Sequence, residues 1–387
     1  MAMLDTNQIL QEPGLRITAA EKASILERMP PPAPNGQIYI DGVFEGGGVR
    51  GIAFLGALRC CADVGLSWRK VAGTSAGAIT AALVAANFQI DHLEKIIGSM
   101  NFMEFLTEKT SSLILNGNPA DDLSHPLWLI LWLQLAGKSG QYSGEPFRRW
   151  MAGMLRKQGL TSFSSLKEQS SDGVMRELKV VTSDISRGEM LVLPDDLPNV
   201  EEQRGYRDPG EFEIAEAVRL SMSIPLFFEA GKLGGSKIVD GGILSNFPLW
   251  IYDFKPGKTQ QICPRWPTFG LRLVHRNNQQ GKPITGPFDV LRAMFSTMMV
   301  ARDQYHLGQG KQDRVIDIDV TDAQVTATEF NLGDDKKRVL YRIGYLAMKD
   351  FLLGNASTGQ PPWNWDEHLR RRGFDPVECR QEYAARS

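Results

Sequence analysis

Residues 37 to 86 spell an order that few folds accept: strand, glycine turn, helix, strand, glycine-flanked serine, helix. Gln37-Ile-Tyr-Ile-Asp-Gly-Val-Phe44 is rich in β-branched and aromatic residues and reads as a strand. It runs straight into Gly46-Gly-Gly48, and a helical stretch follows from Gly51 to about Asp63. Trp68 to Ala72 is a short second strand, and Ala76 to Ala86 is a helical run of Ala, Ile and Leu. Such an order builds a parallel sheet joined by crossover helices. Further along, Leu178 to Thr182, Lys237 to Asp240, Thr268 to His275 and Arg314 to Val320 read as strands. Phe212 to Ser221, Val290 to Tyr305 and Asp334 to Leu353 read as helices, the first stopped by Pro225.

The flanks read differently. Thr18-Ala-Ala-Glu21 fits a capping box that opens a short helix to Arg28, and Pro30-Pro-Pro-Ala-Pro34 then forces an extended spacer. We therefore expect an N-terminal arm over 1–34 outside the main core, one α/β domain over 35–354, and an irregular tail over 355–387. Residues 100–144 have no clear period and are expected to form a lid or insertion over the sheet edge. Within them Pro126 to Ala136 is the longest apolar run, with Trp128 and Trp132 four residues apart. As a helix it spans roughly 16 Å, well short of the ~30 Å hydrocarbon core, so it cannot cross a bilayer alone. Two readings stay open for it. One is a buried or dimer-forming helix; the other is a segment that docks transiently on a membrane surface, where Trp rings are well accommodated.

Composition removes several function classes. With 42% hydrophobic and 23% charged residues and a formal net charge of -2, the 387-residue chain carries no global field toward nucleic acid. No basic arm or run of like charges suggests such a partner either. Cys60, Cys61, Cys263 and Cys379 show neither a disulfide framework nor a zinc-binding spacing, and are expected to be buried, inert thiols. Met1 to Gly14 lack a charged region followed by an apolar run, so a cytoplasmic chain, able to meet membranes peripherally, is expected, and a secretion route without such a signal stays open. Oligomeric state stays open, a homo-oligomer included.

Three short segments carry chemistry. Gly73-Thr-Ser-Ala-Gly77 is a GxSxG segment between a predicted strand and a predicted helix. A serine at such a sharp turn has crowded backbone neighbours, which is why Gly flanks it, and it lies at the positive end of the following helix dipole. The same letters also suit a tight strand-to-helix connection. Gly46-Gly-Gly-Val-Arg-Gly51 offers backbone N–H groups that approach a substrate closely, as a developing oxyanion requires. It also spells the dinucleotide fingerprint GxGxxG, but that site needs a carboxylate at the end of the next strand. Here the strand ends in Gly73-Thr74-Ser75, so the dinucleotide reading fails. Asp240-Gly241-Gly242 places a carboxylate at a strand end with space cleared beside it; alone, it is equally a turn.

Taken together, Glu45-Gly-Gly-Gly-Val-Arg-Gly51, Gly73-Thr-Ser-Ala-Gly77 and Asp240-Gly241-Gly242 resemble, in order and spacing, the blocks of patatin-like phospholipases. Ser221-Met-Ser-Ile-Pro225 with Phe227-Phe228 is similar to a further block, and Gly140-Gln-Tyr-Ser-Gly144 and Glu329-Phe-Asn-Leu332 to weaker features. The resemblance covers about Ile38 to Gly354. It implies a patatin-like three-layer α/β fold with a mostly parallel sheet between helices. It further implies a Ser–Asp dyad that works without metal or cofactor, and hydrolysis of acyl esters in membrane glycerolipids. On that likeness Ser75 attacks the ester carbonyl, Asp240 takes its proton, and the N–H groups of Gly46, Gly47 and Gly48 hold the oxyanion. Gly73, Gly77, Gly241 and Gly242 support them. Arg50 matches a basic residue of the glycine block, and a role bonding carbonyls of the turn stays open beside a functional one. Glu45 stands where many members carry Asp. The competing enzyme reading is an ordinary α/β-hydrolase triad of Ser75, Asp240 and His275, an order the chain permits. The competing non-enzyme reading is a lipid-binding module on a hydrolase fold. His92, His125, His275, His306 and His368 read as surface or structural residues.

Overall fold

The computed structural model describes residues 5–100, 102–105, 142–168, 174–197, 208–225, 227–253, 262–276, 312–327 and 329–386. The apolar run at 126–136, the expected helix at 290–305, His125 and His306 lie outside the described residues.

The strands are β1 (Ile38–Phe44), β2 (Leu66–Thr74), β3 (Glu177–Asp184), β4 (Glu189–Leu193), β5 (Gly231–Leu233), β6 (Ser236–Asp240), β7 (Thr268–Val274) and β8 (Val315–Asp319). They form one sheet with hydrogen-bonded order β5-β6-β3-β2-β1-β7-β8, and β4 is added to β3. Pairings β3–β2, β2–β1, β1–β7 and β7–β8 are parallel, whereas β4, β5 and β6 pair antiparallel. The central strands are covered on both faces, which explains their near-continuous apolar runs. Ile40, Phe44, Val71 and Val180 face one core, while Val43, Ala72 and Val181 face a second with Phe247 and Leu249.

The described helices longer than one turn include α1 (Ala19–Leu26), α2 (Ile52–Val64), α3 (Ala76–Ala85), α4 (Ile90–Gly98), α5 (Glu145–Arg156), α6 (Ile214–Ser221), α7 (Asp334–Leu353), α8 (Trp365–Arg371) and α9 (Pro376–Arg386). α3 is buried at every residue, as a helix apolar all round must be. Among the described residues no helix is long and apolar enough to cross a membrane.

Three expectations are corrected. The N-terminal arm, described from residue 5, does not stand apart from the core: Ile9, Leu10, Leu15, Ile25 and Met29 are buried in it. The capping box at Thr18 and Glu21 forms, and Lys349 Nζ ties the arm down by donating to the carbonyls of Gly14 (3.2 Å) and Arg16 (3.0 Å). The arm thus covers apolar surface of α2 and α7 that would otherwise meet water. The tail, described over residues 355–386, is not irregular either, since it carries α8 and α9 and buries Trp363, Trp365, Leu369 and Tyr383. Cys263 and Cys379 are joined in a disulfide with Cα atoms 5.4 Å apart, while Cys60 and Cys61 are buried free thiols as expected. A pairing across 116 residues is invisible in spacing, because only the docking of α9 brings the two together.

Candidate active site

Ser75 sits between β2 and α3 with φ 53 and ψ -123, a region that non-glycine residues avoid. Holding it there costs about 1–3 kcal/mol, which the surrounding packing must offset. The two flanking glycines make the turn possible. A Cβ on Gly73 would lie 2.3 Å from the carbonyl carbon of Gly77, and one on Gly77 would lie 2.2 Å from the carbonyl oxygen of Phe44. The elbow is also pinned from outside. The Ser75 N–H donates to Ser221 Oγ (2.9 Å), and the Ser221 hydroxyl donates to the carbonyl of Val181 (2.7 Å). Ser221 is fully buried, so Ser221→Ala leaves a donor and an acceptor unpaired in a dry core. We expect a stability loss of about 1–3 kcal/mol in thermal or denaturant unfolding, with Ser221→Thr close to wild type. An unfolding midpoint unchanged in Ser221→Ala would show that the elbow does not depend on this bridge.

Asp240 reaches the same place by register. Val180 and Val181 of β3 pair with β2 on one edge and β4 on the other, while Thr182 to Asp184 pair with β4 and β6. β2 and β6 therefore share one edge of β3 and run head to head along it. Thr74 stands opposite Val181 and Asp240 opposite the next residue, Thr182. Gly241 lets the chain turn there, since its Cβ would fall 2.2 Å from the Val181 carbonyl oxygen and 3.0 Å from Thr74 Cγ2. The Gly242 N–H donates to Asp240 Oδ1 at 2.8 Å. Burial pushes the carboxyl up to about 6, with the Ser75 hydroxyl and the Gly242 N–H pulling it back. Oδ2 is buried and makes no well-formed hydrogen bond. The Ser75 hydroxyl is thus near enough to act on the carboxylate without good alignment, a geometry common in hydrolases before substrate tightens the contact.

The glycine turn after β1 closes the third side. The Gly46 N–H already donates to the Asn246 carbonyl (3.0 Å) and the Val49 N–H to the Ala327 carbonyl (3.1 Å). That narrows the expected set of three donors: Gly46 is engaged, and the N–H groups of Gly47 and Gly48 have no acceptor among the described residues. Arg50 Nε donates to the Gly47 carbonyl at 3.1 Å, so its observed role is to brace the turn. Glu45 is structural as well, accepting from the Leu273 N–H and from Asn246 Nδ2.

Two contributors were not singled out from sequence. One is Ser221. The other is Asn246, whose Nδ2 donates to the Gly46 carbonyl (3.0 Å) and so cross-links the Asp240 segment to the glycine turn. Its place six residues after Asp240, just before Phe247-Pro248, was the only local signal.

The sheet sets His275 apart from the strands that carry Ser75 and Asp240. That residue follows β7, and β1 lies between β7 and β2, a lateral offset of about 10 Å at the usual strand spacing. The groups acting on the Asp240 carboxyl are Ser75 and Gly242, and His275 is not among them. His368 is buried against Asp313, with its Nδ1 2.5 Å from Oδ2, and His92 is exposed on α4. Among the described residues no cluster of His, Cys, Asp or Glu is arranged to hold a metal.

The family model described as patatin-like phospholipase matches residues 29–252. The chain is 35% identical over 320 residues to the uncharacterized protein YqhO of Bacillus subtilis, covering 81% of this chain and 98% of that one. It is 22% identical over 317 residues to the uncharacterized protein R571 of Acanthamoeba polyphaga mimivirus, covering 80% and 92% of the two chains. Among solved structures, VipD from Legionella pneumophila is similar at 16% identity and a TM-score of 0.47, covering 99% of this chain and 80% of that one.

Proposed function

This chain belongs to the patatin-like phospholipase family, and from that premise we propose that it is a serine acyl hydrolase acting on acyl glycerolipids through Ser75 and Asp240. The observation that carries the reading is the register of β3, along whose single edge β2 and β6 both end. In the first half-reaction the Asp240 carboxylate accepts the Ser75 proton while Oγ attacks the ester carbonyl. The N–H groups of Gly47 and Gly48 receive the oxyanion, and the positive end of α3 adds to that field. As the tetrahedral intermediate collapses, protonated Asp240 returns the proton to the departing alcohol oxygen. Water then takes the alcohol's place: Asp240 removes its proton as its oxygen bonds the acyl carbon, and returns that proton to Ser75 Oγ as the bond to serine breaks and the fatty acid leaves.

Labelling of Ser75 by a fluorophosphonate, with fatty-acid release from phospholipid liposomes, tests the reading. A well-folded chain that neither labels nor releases fatty acid is a lipid-binding module instead. The burial of Asp240 gives a second check. A base must be ionised, so kcat/KM should fall about tenfold per pH unit below about 6 and hold level from there to about 8. An inflection in the ordinary carboxylate range near ~4 would remove buried Asp240 from the rate equation. Because a histidine would titrate near ~6.5, substitution and not the pH profile separates the two bases.

A further inference from the structure

A narrow crevice opens beside the elbow, between the start of α2, the helix α3 and the end of α4. Its rim includes Gly48, from the glycine turn, and Ala76, the residue after Ser75. Its walls are Ile52, Ile79, Ile97, Met100 and Phe102. Thr80 is the one polar side chain lining it, and its hydroxyl is spent within α3, donating to the Ala76 carbonyl at 3.2 Å. The crevice thus has apolar walls and touches both the nucleophile's neighbour and the oxyanion turn.

No residue of β6 or of the Asp240 turn lines it, and that asymmetry is informative. The carbonyl carbon of a bound ester carries an oxygen, an alcohol group and an acyl chain. The oxygen must lie on the glycine turn, and the alcohol oxygen must lie where Asp240 can return a proton to it. Only the acyl chain has no polar requirement. A crevice lined by Gly48 and Ala76 but not by Asp240 therefore suits the acyl chain and not the headgroup.

We propose that this crevice is the acyl-chain site and that Met100 sets the length of chain accepted. The assignment rests on the acyl-hydrolase reading above. The free volume is about 10 Å³, room for roughly one water-sized group, so a longer chain enters only where the wall yields. Met100 is the wall residue able to do so, being unbranched, with three rotatable bonds, and lying just past the end of α4. Outward, the apolar surface continues as an aromatic row: Phe102 to Phe330 (6.0 Å between centroids) and Phe330 to Phe227 (6.0 Å). Phe227, in ring contact with Phe330, is 36% exposed, which gives a chain longer than the crevice an apolar path to the surface.

The test is the ratio of kcat/KM for p-nitrophenyl octanoate to that for p-nitrophenyl acetate, measured on the full chain. Each methylene in an apolar pocket is worth about tenfold or more in discrimination. Met100→Trp, which fills the crevice, should lower the ratio about tenfold, and Met100→Ala, which opens it, should raise it. Circular dichroism and fluorophosphonate labelling confirm that each variant is folded with a competent serine. If Met100→Trp fails to fold, Met100→Ala alone decides by the direction of its change. A ratio within about twofold of wild type in every folded variant overturns the assignment while leaving the acyl-hydrolase reading intact. A wild-type chain inactive on both esters and unlabelled overturns that reading, and the assignment with it.

Discussion

Asp240→Asn is expected to abolish ester hydrolysis while making the protein more stable at pH 8, a combination that misfolding cannot produce. Asn keeps the shape of the side chain and an oxygen for the Gly242 N–H, so the turn at Gly241 has no reason to move. What it lacks is the capacity to take the Ser75 proton. Nucleophile and base act as a unit, so Asp240→Asn and Ser75→Ala should each cost about 10⁴-fold or more in kcat/KM. The stability change has its own sign. Burial raises the Asp240 carboxyl from 3.8 to about 6 on folding. The folded chain therefore holds that proton more tightly, and stability falls as pH rises from about 4 to about 6. Above that window the full penalty is present, on the order of 3 kcal/mol. Asn removes it, so the unfolding midpoint at pH 8 should rise, and the gain should vanish below pH 4. His275→Ala serves as the comparison and should retain activity within about threefold, because β1 separates β7 from β2. Loss of activity in His275→Ala as deep as in Ser75→Ala would establish the triad and displace Asp240 as the sole base.

Much of this arrangement was legible locally, and the parts that were not share a physical cause. The stretch from Ile38 to Ala85 could be read directly, because each element there announces itself by periodicity and each turn by its glycines. The long strands β3 and β7 and the helix α7 were visible for the same reason. β4 and β5 were not: β5 has only three residues, and β4 lacks a motif such as the Asp240-Gly241-Gly242 that marks the equally short β6. Nor does the pairing of Asp240 with Ser75 follow from either segment alone. It depends on β3 offering one edge to two strands in succession, a long-range register that only the assembled sheet fixes. Ser221 and Asn246 belong to the same class. Each is an ordinary polar residue in sequence and becomes a cross-link only when another segment arrives opposite it. The flanks were misread for a related reason. A Pro-rich spacer looks like a boundary, yet it delivers the chain to the body, where Arg265 donates to the carbonyls of Pro31 and Pro32 at 2.8 Å each.

Gly48→Ala should be the most damaging single-methyl change in the glycine turn, and its contrast with Gly47→Ala locates the oxyanion donors. Gly48 has φ +57, which a residue with a side chain adopts only under strain, and its Cβ would stand 1.9 Å from the carbonyl oxygen of Ala327. That oxygen also accepts the Val49 N–H at 3.1 Å, so the methyl group cannot be accommodated without separating the turn from the 325–327 segment that braces it. Gly47 differs in both respects. Its φ of -160 is extended backbone that any residue adopts, and its Cβ would meet the Leu273 Cδ1 atom, the free end of a side chain, at 2.3 Å. Leu273 can rotate away, whereas the Ala327 backbone cannot. Loss of one oxyanion donor costs about 10²- to 10³-fold in kcat, and Gly48→Ala should reach or exceed that. Gly47→Ala should lose roughly an order of magnitude less, since its N–H keeps its place. Steady-state kinetics on a soluble ester, paired with thermal unfolding of both variants, reads the contrast. Stability alone does not account for it, because fluorophosphonate labelling at a temperature where both variants are folded also passes through an anionic centre. A displaced Gly48 should slow labelling in step with turnover. If Gly48→Ala folds and turns over at the wild-type rate, the donors lie elsewhere, and the N–H groups after β1 are structural.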